Sequence, residues 1–315
     1  MRIKVLNTAS LIIPTYNRPY DLENCLRSIL SQTQRPEELI VVDDGNLESV
    51  PLWDELEHAG ISCHYVRKDK PGLTESRNLG VSLATQDILF FLDDDVILEN
   101  EYLAEIMKAY SNDPDNNVGG VGGAITNKPQ LTFIRKARRM WNIPFLVCGF
   151  NEGKVLPSGF GTDFGTTPYP LMKTTEVDFL DGGVSSYRRE IFNEFVFTDA
   201  YRKFGFGEDK DFSYRVSRKY RLLFTPKARL VHLESSTMRP DKRTWGRKFI
   251  IGRWLFFRDF LQKNSWSKMF FAWAVFGYLL DRTVIASLKL SKEEWRRVLG
   301  ILDAINLLLR GKIEP

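Results

Sequence analysis

Apolar positions in the first third of the chain follow two alternating spacings. "ASLIIPTY", "EELIVVDDG", "ISCHYVRK" and "DILFFLDDD" hold short apolar runs that predict four strands, near-continuous enough in most to be buried on both faces. Between them, "RPYDLENCLRSILSQ" carries Leu22, Leu26, Ile29 and Leu30 at helical spacing, with Pro19 where a first turn tolerates it. "LTESRNLGVSLAT" predicts a helix with Thr74 as its cap and Arg77 in its first turn, and "NEYLAEIMKAYSN" predicts another. This βαβα order predicts an α/β domain with a mostly parallel sheet covered by helices on both faces.

The pattern changes between Thr126 and Glu176. "RKARRMWNIPF" is basic and aromatic, and "CGFNEGKVLPSGFGTDFGTTPYP" is rich in Gly, Pro and Thr, so the span predicts a long irregular insertion. Regularity returns in "EVDFLDGG", "SSYRREIFNEF", "GEDKDFSYRVSRKY", "RLLFTP" and "ARLVHLES". After Pro240 the spacing is helical throughout: "KRTWGRKFIIGRWLFFRDFLQ", then Lys268 to Leu288, then "SKEEWRRVLGILDAINLLLR", where Ser291 and Glu294 form a capping-box pattern. The expected division is a domain over residues 1–238, with 126–176 irregular, followed by a helical extension over 239–315.

Charge sharpens that division. The 315 residues carry a net charge of only +4, but from Arg239 onward there are 16 Lys and Arg against 7 Asp and Glu, leaving 28 against 33 before it. A mildly acidic front and a basic tail imply surfaces with different partners. Cys25, Cys63 and Cys148 are far apart and form no CxxC pair, which argues against a disulfide framework and a cysteine zinc site and suits a reducing compartment. The opening "MRIKVLNTASLIIPTY" has no apolar core of a secretory signal. The longest uncharged apolar run, "MFFAWAVFGYLL", is twelve residues, shorter than a spanning helix requires. A cytoplasmic location is expected.

Three predicted strands end in chemically distinctive residues: Pro14 to Arg18, Asp43-Asp44-Gly45, and Asp93-Asp94-Asp95. In open parallel sheets ligands bind beyond the carboxyl ends of the strands, so these groups would share one rim. No Lys or Arg lies within ten residues of the aspartate triplet. A divalent cation, Mn2+ or Mg2+, bridging to phosphate oxygens would relieve the repulsion. The plainer alternative is a turn and helix cap, where acids are common. Glu208 and Asp209 open a predicted helix after Gly207 and could serve either as macrodipole compensation or as a general base.

"SLIIPTYNRPYDLENCLRSILSQ", "ELIVVDDG", "GLTESRNLGVSLATQDILFFLDDDV", "FLDGGVSSYRRE" and "FGEDKDFSYRV…PKARLVHLES", in this order, resemble family 2 glycosyltransferases over roughly Ser10 to Glu234. The resemblance implies an A-type glycosyltransferase fold with a Rossmann-like sheet, and inverting transfer from a nucleoside-diphosphate sugar, with a UDP-sugar as first guess. It implies that Pro14, Tyr16, Asn17, Arg18, Asp44 and, with less support, Asp43 line the nucleotide pocket, and that Arg77 and Asn78 face the nucleotide and its diphosphate. Asp93 and Asp95 match the DxD motif, with Asp94 between them on the donor side. Asp95 is then the main metal ligand, Asp93 belongs to the metal set but meets ribose or a metal-bound water, and His232 completes the metal site. Asp209 becomes the general base, with Glu208 beside it. Asp181, Gly182 and Gly183 would contact acceptor or donor sugar, and Trp141, Phe160 and Phe164 could offer stacking faces.

The expected acceptor is a saccharide or lipid-linked saccharide of a surface polysaccharide or glycolipid. The basic, aromatic tail, residues 239–290, reads either as a helical cap on the core or as a peripheral contact with the inner face of a membrane. Nucleic acid is a poor partner, because no basic patch coincides with a reading motif. Of the rival readings, a haloacid-dehalogenase-type phosphatase fails because Ile97 occupies the last position of its DxDx[TV] pattern. A nucleotidyltransferase would want a Gly- and Arg-rich loop where "IIPTYNRP" stands. A non-catalytic scaffold at the membrane is disfavoured by the coexistence of the triplet and the Glu208-Asp209 pair.

Overall fold

The computed structural model describes residues 8–129, 132–167, 170–201, 206–235 and 240–313. The residues around the expected 238/239 boundary and the start of "FGFGEDK" lie outside the described residues. Backbone packing groups the chain into two compact units: Met1–Lys128, Leu171–Thr198 and Phe212–Thr237 form the first, and Pro129–Pro170, Asp199–Asp211 and Met238–Pro315 the second. The tail thus packs with two inserted segments that the sequence reading assigns to the first domain.

In the first unit, β1 (Ala9–Thr15), β2 (Glu38–Asp43) and β4 (Ile88–Leu92) are buried at every position. Such runs are viable only where helices cover both faces. Successive side chains of a strand face opposite ways. Leu11 and Ile13 point into a core shared with Leu22, Leu26 and Ile29 of α1 (Pro19–Leu30) and with Ile106 of α4 (Tyr102–Ser111). Ile12, facing the other way, packs under Gly80 of α3 (Leu73–Leu83). Phe91 shares that second face with Phe192 and Phe197 at ring-centroid distances of 5.6 and 5.1 Å.

β3 (Ser62–Arg67), β2, β1 and β4 pair in parallel in that order. Beyond β4 the sheet is mixed. β8 (Val184–Arg188) runs antiparallel to both β4 and β6 (Val118–Ile125), while β9 (Arg221–His232) runs parallel to β6 but antiparallel to β5 (Val96–Leu98) and β7 (Thr175–Val177). The expectation of a mostly parallel sheet therefore describes its first four strands. The reading missed β5 and β6 as well as the short α2 (Trp53–His58). β6 reads "VGGVGGAI", and glycine is a poor strand former. Here close approach requires it: a Cβ on Gly120 would press on the Tyr187 ring, and one on Gly123 would meet Tyr102 and the Ala228 carbonyl. Thr74 is not the cap of α3; that position is Gly72, with no side-chain capping bond.

In the second unit, α5 (Phe133–Asn142) interrupts the span read as irregular. α7 (Lys242–Phe260), α8 (Ser267–Lys289) and α9 (Lys292–Leu309) are the expected tail helices, and Ser291 caps α9 by accepting from the Glu294 N–H. Their core gathers Ile250, Leu255 and Phe257 of α7, Phe271 and Tyr278 of α8, and Ile301 of α9. Phe160 belongs to the same core, and Phe164 is buried too, so neither offers a sugar-stacking face; Trp141 is half exposed. α8 also corrects the reading that no spanning length exists: its 23 residues are long and apolar enough to cross a membrane, although 39% of its most apolar stretch is buried. The uncharged run ends at Asp281, whereas the helix continues to Lys289.

Candidate active site

The C-terminal ends of β1, β2 and β4 share one edge of the sheet, and β5 leads away from it. The aspartate triplet follows β4 directly, and alternate residues diverge. Asp94 turns inward, buried, where the Thr15 hydroxyl donates to it at 2.7 Å and Arg18 pairs with it at 3.0 Å. Burial pushes its carboxyl up to about 6, against the pull of Thr15 and Arg18 and with a further push from Asp93. Asp93 and Asp95 converge with His232, their ligand atoms all within 4.8 Å of one another. The antiparallel register Val96↔His232 delivers the histidine, whose Nε2 lies 3.0 Å from Asp95 Oδ1. Burial alone would raise Asp95, but the bond from His232, the Ser235 N–H at 2.9 Å and Arg18 hold it below the usual carboxylate range. The same bond to Asp95, aided by Asp93, raises His232 above its ordinary value.

Cations distant in sequence therefore meet the triplet's charge. Arg18 also approaches Asp95 at 3.7 Å, and Arg77 approaches Asp93 at 3.7 Å. The expectation that a metal ion alone relieves the repulsion is too narrow, because the fold supplies part of the compensation. Arg77 sits in the second turn of α3, nearly fully buried, with its guanidinium over the Phe197 ring at 5.5 Å. Asn78 is committed elsewhere: its amide donates to the Phe197 carbonyl at 2.8 Å and accepts from the Phe197 N–H at 3.1 Å. Neither is placed as an open helix-start anion site.

A polar hollow of about 340 Å³ lies along the same edge, lined by Tyr16, Asn17, Asp44, Arg67, Lys68 and Asp69 among others. Pro14 is buried within β1. Asn17 adopts a left-handed φ of 52°, which asparagine tolerates, and its side chain accepts from the Asn46 N–H. Asp44 is fixed by Lys68 at 3.0 Å and by the Ser76 hydroxyl at 2.6 Å. Asp43 does not line the hollow. It is fully buried and holds the following turn, accepting from the N–H groups of Gly45 and Leu47 and from the Tyr65 hydroxyl. The sequence reading gives Thr15 no role of its own and misses Lys68 and Ser235. Lys68 was open to discovery, since it follows β3 on the same rim.

Asp181 pairs with Lys128 at 3.4 Å, and the Gly182 carbonyl accepts from the Ser185 hydroxyl. The Gly183 carbonyl accepts from the Asp93 N–H, and a Cβ on Gly183 would overlap the Asp93 carboxylate. Gly183 lies in the strand-end turn closed by the Val184 N–H on the Asp181 carbonyl at 3.4 Å, and the close approach of Asp93 leaves no room for a side chain there.

The signature of glycosyl transferase family 2 matches residues 10–196, more than half of the chain. The chain belongs to glycosyl transferase family 2. Among curated relatives, a hyaluronan synthase of Pasteurella multocida is 28% identical over 224 residues, 66% of this chain and 22% of that protein. A chondroitin synthase of Escherichia coli is 25% identical over 228 residues, 68% of this chain and 33% of that protein. The chain thus spans a third or less of the length of these two relatives. Among solved structures, the mannosyltransferase PcManGT of Pyrobaculum calidifontis, in complex with GDP-Man and Mn2+, superimposes with a TM-score of 0.57 at 17% identity, covering 97% of this chain and 88% of that one. GalNAc-T7 with UDP, GalNAc and Mn2+ gives 0.58 at 19% identity over 81% of this chain and 48% of that one. These likenesses show the A-type glycosyltransferase fold, with its mixed α/β sheet, for this member of family 2.

Two carboxylates and one imidazole within reach of a common point suit a hard divalent cation, with the nitrogen ligand compatible with manganese. Glu208 and Asp209 open α6 (Glu208–Ser217) in this family 2 chain, both half-buried. Asp209 accepts from the Lys210 N–H at 2.7 Å, and Glu208 from the Gly207 N–H at 3.2 Å. Both contacts fit acids placed at a helix N-terminus.

Proposed function

We propose that this chain transfers a sugar from a nucleoside-diphosphate sugar to an acceptor hydroxyl with inversion at the anomeric carbon. The observation that carries this reading is the convergence of Asp93, Asp95 and His232 on the strand-end edge that also holds the hollow at Tyr16, Asn17 and Asp44. Mn2+ or Mg2+ held by Asp93, Asp95 and His232 would neutralise charge on the departing diphosphate. Tyr16, Asn17 and Asp44 take the nucleoside. Arg18, through Asp94, and Arg77, beside Asp93, keep the acidic edge in register. Asp181, Gly182 and Gly183 shape the sugar side.

In this reading Asp209 accepts the proton of the acceptor hydroxyl as its oxygen bonds to the anomeric carbon and the bond to the diphosphate breaks. The family resemblance supports that role, with Glu208 the neighbour to compare. The hyaluronan and chondroitin synthases among the relatives support a saccharide acceptor; a lipid-linked one would place the work at the inner face of a membrane. A UDP-sugar is the first donor to try.

The test is a screen of UDP-, GDP- and dTDP-sugars with and without Mn2+, read by donor hydrolysis and thermal shift. One donor should raise the melting temperature in a metal-dependent way, and Asp95→Asn should abolish that shift in a folded protein. Indifference to every donor, with and without metal, would overturn the proposal.

A further inference from the structure

Helix α5, in the second unit, is turned inside out. Its polar side faces inward. Arg138 donates from Nε and Nη2 to the two oxygens of Asp281 at 2.6 and 2.7 Å, and Asn142 reaches the same carboxylate at 3.3 Å. Arg139 donates to the Thr166 carbonyl at 2.9 Å and to the Gly149 carbonyl. Its apolar side faces outward: Phe133 is 84% exposed, Ile134 77%, Met140 53% and Trp141 52%. A helix of a domain bathed only in water has the reverse arrangement.

The outward face continues onto α8 through a chain of rings. Trp141 meets Phe145 at 5.7 Å, Phe145 meets Trp273 at 5.0 Å, and Trp273 meets Phe276 at 5.7 Å. Trp273 is held in place by donating to the Pro144 carbonyl at 2.9 Å. An apolar groove of about 750 Å³ lies between Pro144, Leu146 and the stripe Met269, Trp273 and Phe276. The charge around this face has one sign. Residues 132–150 hold four Arg and Lys and no acid, and residues 260–280 hold two Lys and no acid. Arg135, Lys136 and Lys268 are exposed.

We propose that the α5–α8 face rests on the anionic surface of a lipid bilayer. The aromatic side chains sit at the boundary between headgroups and acyl chains, where Trp and other amphipathic rings are favoured. Arg135, Lys136 and Lys268 meet the headgroup phosphates. α8 lies along the bilayer rather than across it, because its opposite side, with Phe271, Ala274, Val275 and Tyr278, belongs to the core of the unit. Asp281, near its middle, is locked to Arg138. The surface overlaps the 239–290 tail suggested by the sequence in α8, adds α5 and leaves out α7. In α7, Trp245 stacks on Phe249 at 5.0 Å under the Arg297 guanidinium, and Phe256 and Phe257 are buried, so that helix is occupied by packing.

The full chain is mixed with phosphatidylcholine vesicles, with and without phosphatidylglycerol, and binding is read by co-flotation and tryptophan emission. Binding should require phosphatidylglycerol, weaken with salt and shift the emission to the blue. Phe133→Ser with Trp141→Ser should lower partitioning roughly tenfold or more, with an unchanged melting temperature and unchanged metal-dependent donor binding in solution. Arg135→Glu with Lys136→Glu should lower it on anionic vesicles. Equal binding to both vesicle types, no binding, or variants that partition like the parent would overturn the proposal. So would resistance to extraction at high pH, which means that α8 spans. A concentration-dependent dimer that those substitutions dissociate, without vesicle binding, assigns the face to a second copy and likewise overturns it.

Discussion

The acidic edge of the first unit and the α5–α8 face of the second handle charge in opposite ways. At the edge, three acids meet Arg18, Arg77 and His232, yet Asp93 and Asp95 still aim oxygens at a common point. On α5, Arg138 and Asn142 both spend donors on Asp281, and the outside is left with apolar side chains flanked by Arg135 and Lys136. A run of like charge in a sequence therefore says little about function until the direction of each side chain is known. Asp93 and Asp95 are two residues apart in an extended turn and face one way, with Asp94 facing the other. The cations of α5 are spread around a helix, and two of the four are drawn inward.

The contrast can be broken most forcefully at the edge. Asp95→Asn should lower sugar transfer roughly a thousandfold and remove Mn2+ binding, with little change in melting temperature, as single-turnover rates and metal titration would show. Asp209→Asn should cost roughly a hundredfold in transfer while leaving donor affinity intact. If Asp209 only compensates the helix dipole, the rate will hold and stability will drop by about 0.5 kcal/mol.

The second unit is next. Arg138→Met strands the Asp281 carboxylate, 3% exposed, beside Arg282 at 3.5 Å, and should cost about 3 kcal/mol in urea unfolding. Adding Asp281→Leu should restore only part of that, since the apolar pair removes the unpaired carboxylate but also takes the partner of Arg282 and Asn142 away. Gly183→Ala sharpens the comparison from the edge side. The new methyl displaces the Asp93 carboxylate, so Mn2+ affinity should weaken about tenfold with a loss of about 1–2 kcal/mol in stability. The smallest effect belongs to Phe133→Ser, which should change stability by less than about 0.5 kcal/mol because the ring packs against little. A larger loss would mean that the outward face of α5 is covered.

Much of the first unit was legible because its signals are local. Strands buried on both faces must be apolar throughout, which is why "ASLIIPT" and "ILFFL" could be read directly. The glycine strand β6 was not legible, since its glycines answer to Tyr187 and Tyr102, far away in sequence. Asp43 and Asp44 look alike on the page. One folds back on its own turn and the other lines the hollow, a difference set by the paths of β2 and β3. Asn78 reads as a ligand-facing residue because nothing local shows that Phe197 claims both ends of its amide.

Residue order alone determined the α/β class, the family motifs and the acids at the strand ends, because periodicity and strand-end chemistry are properties of consecutive residues. The tertiary structure decided which acids converge, which cations offset them and which way α5 faces. Those outcomes depend on partners brought close only by folding: His232 reaches Asp95 through the pairing of β9 with β5, and Asp281 draws Arg138 inward from more than a hundred residues away.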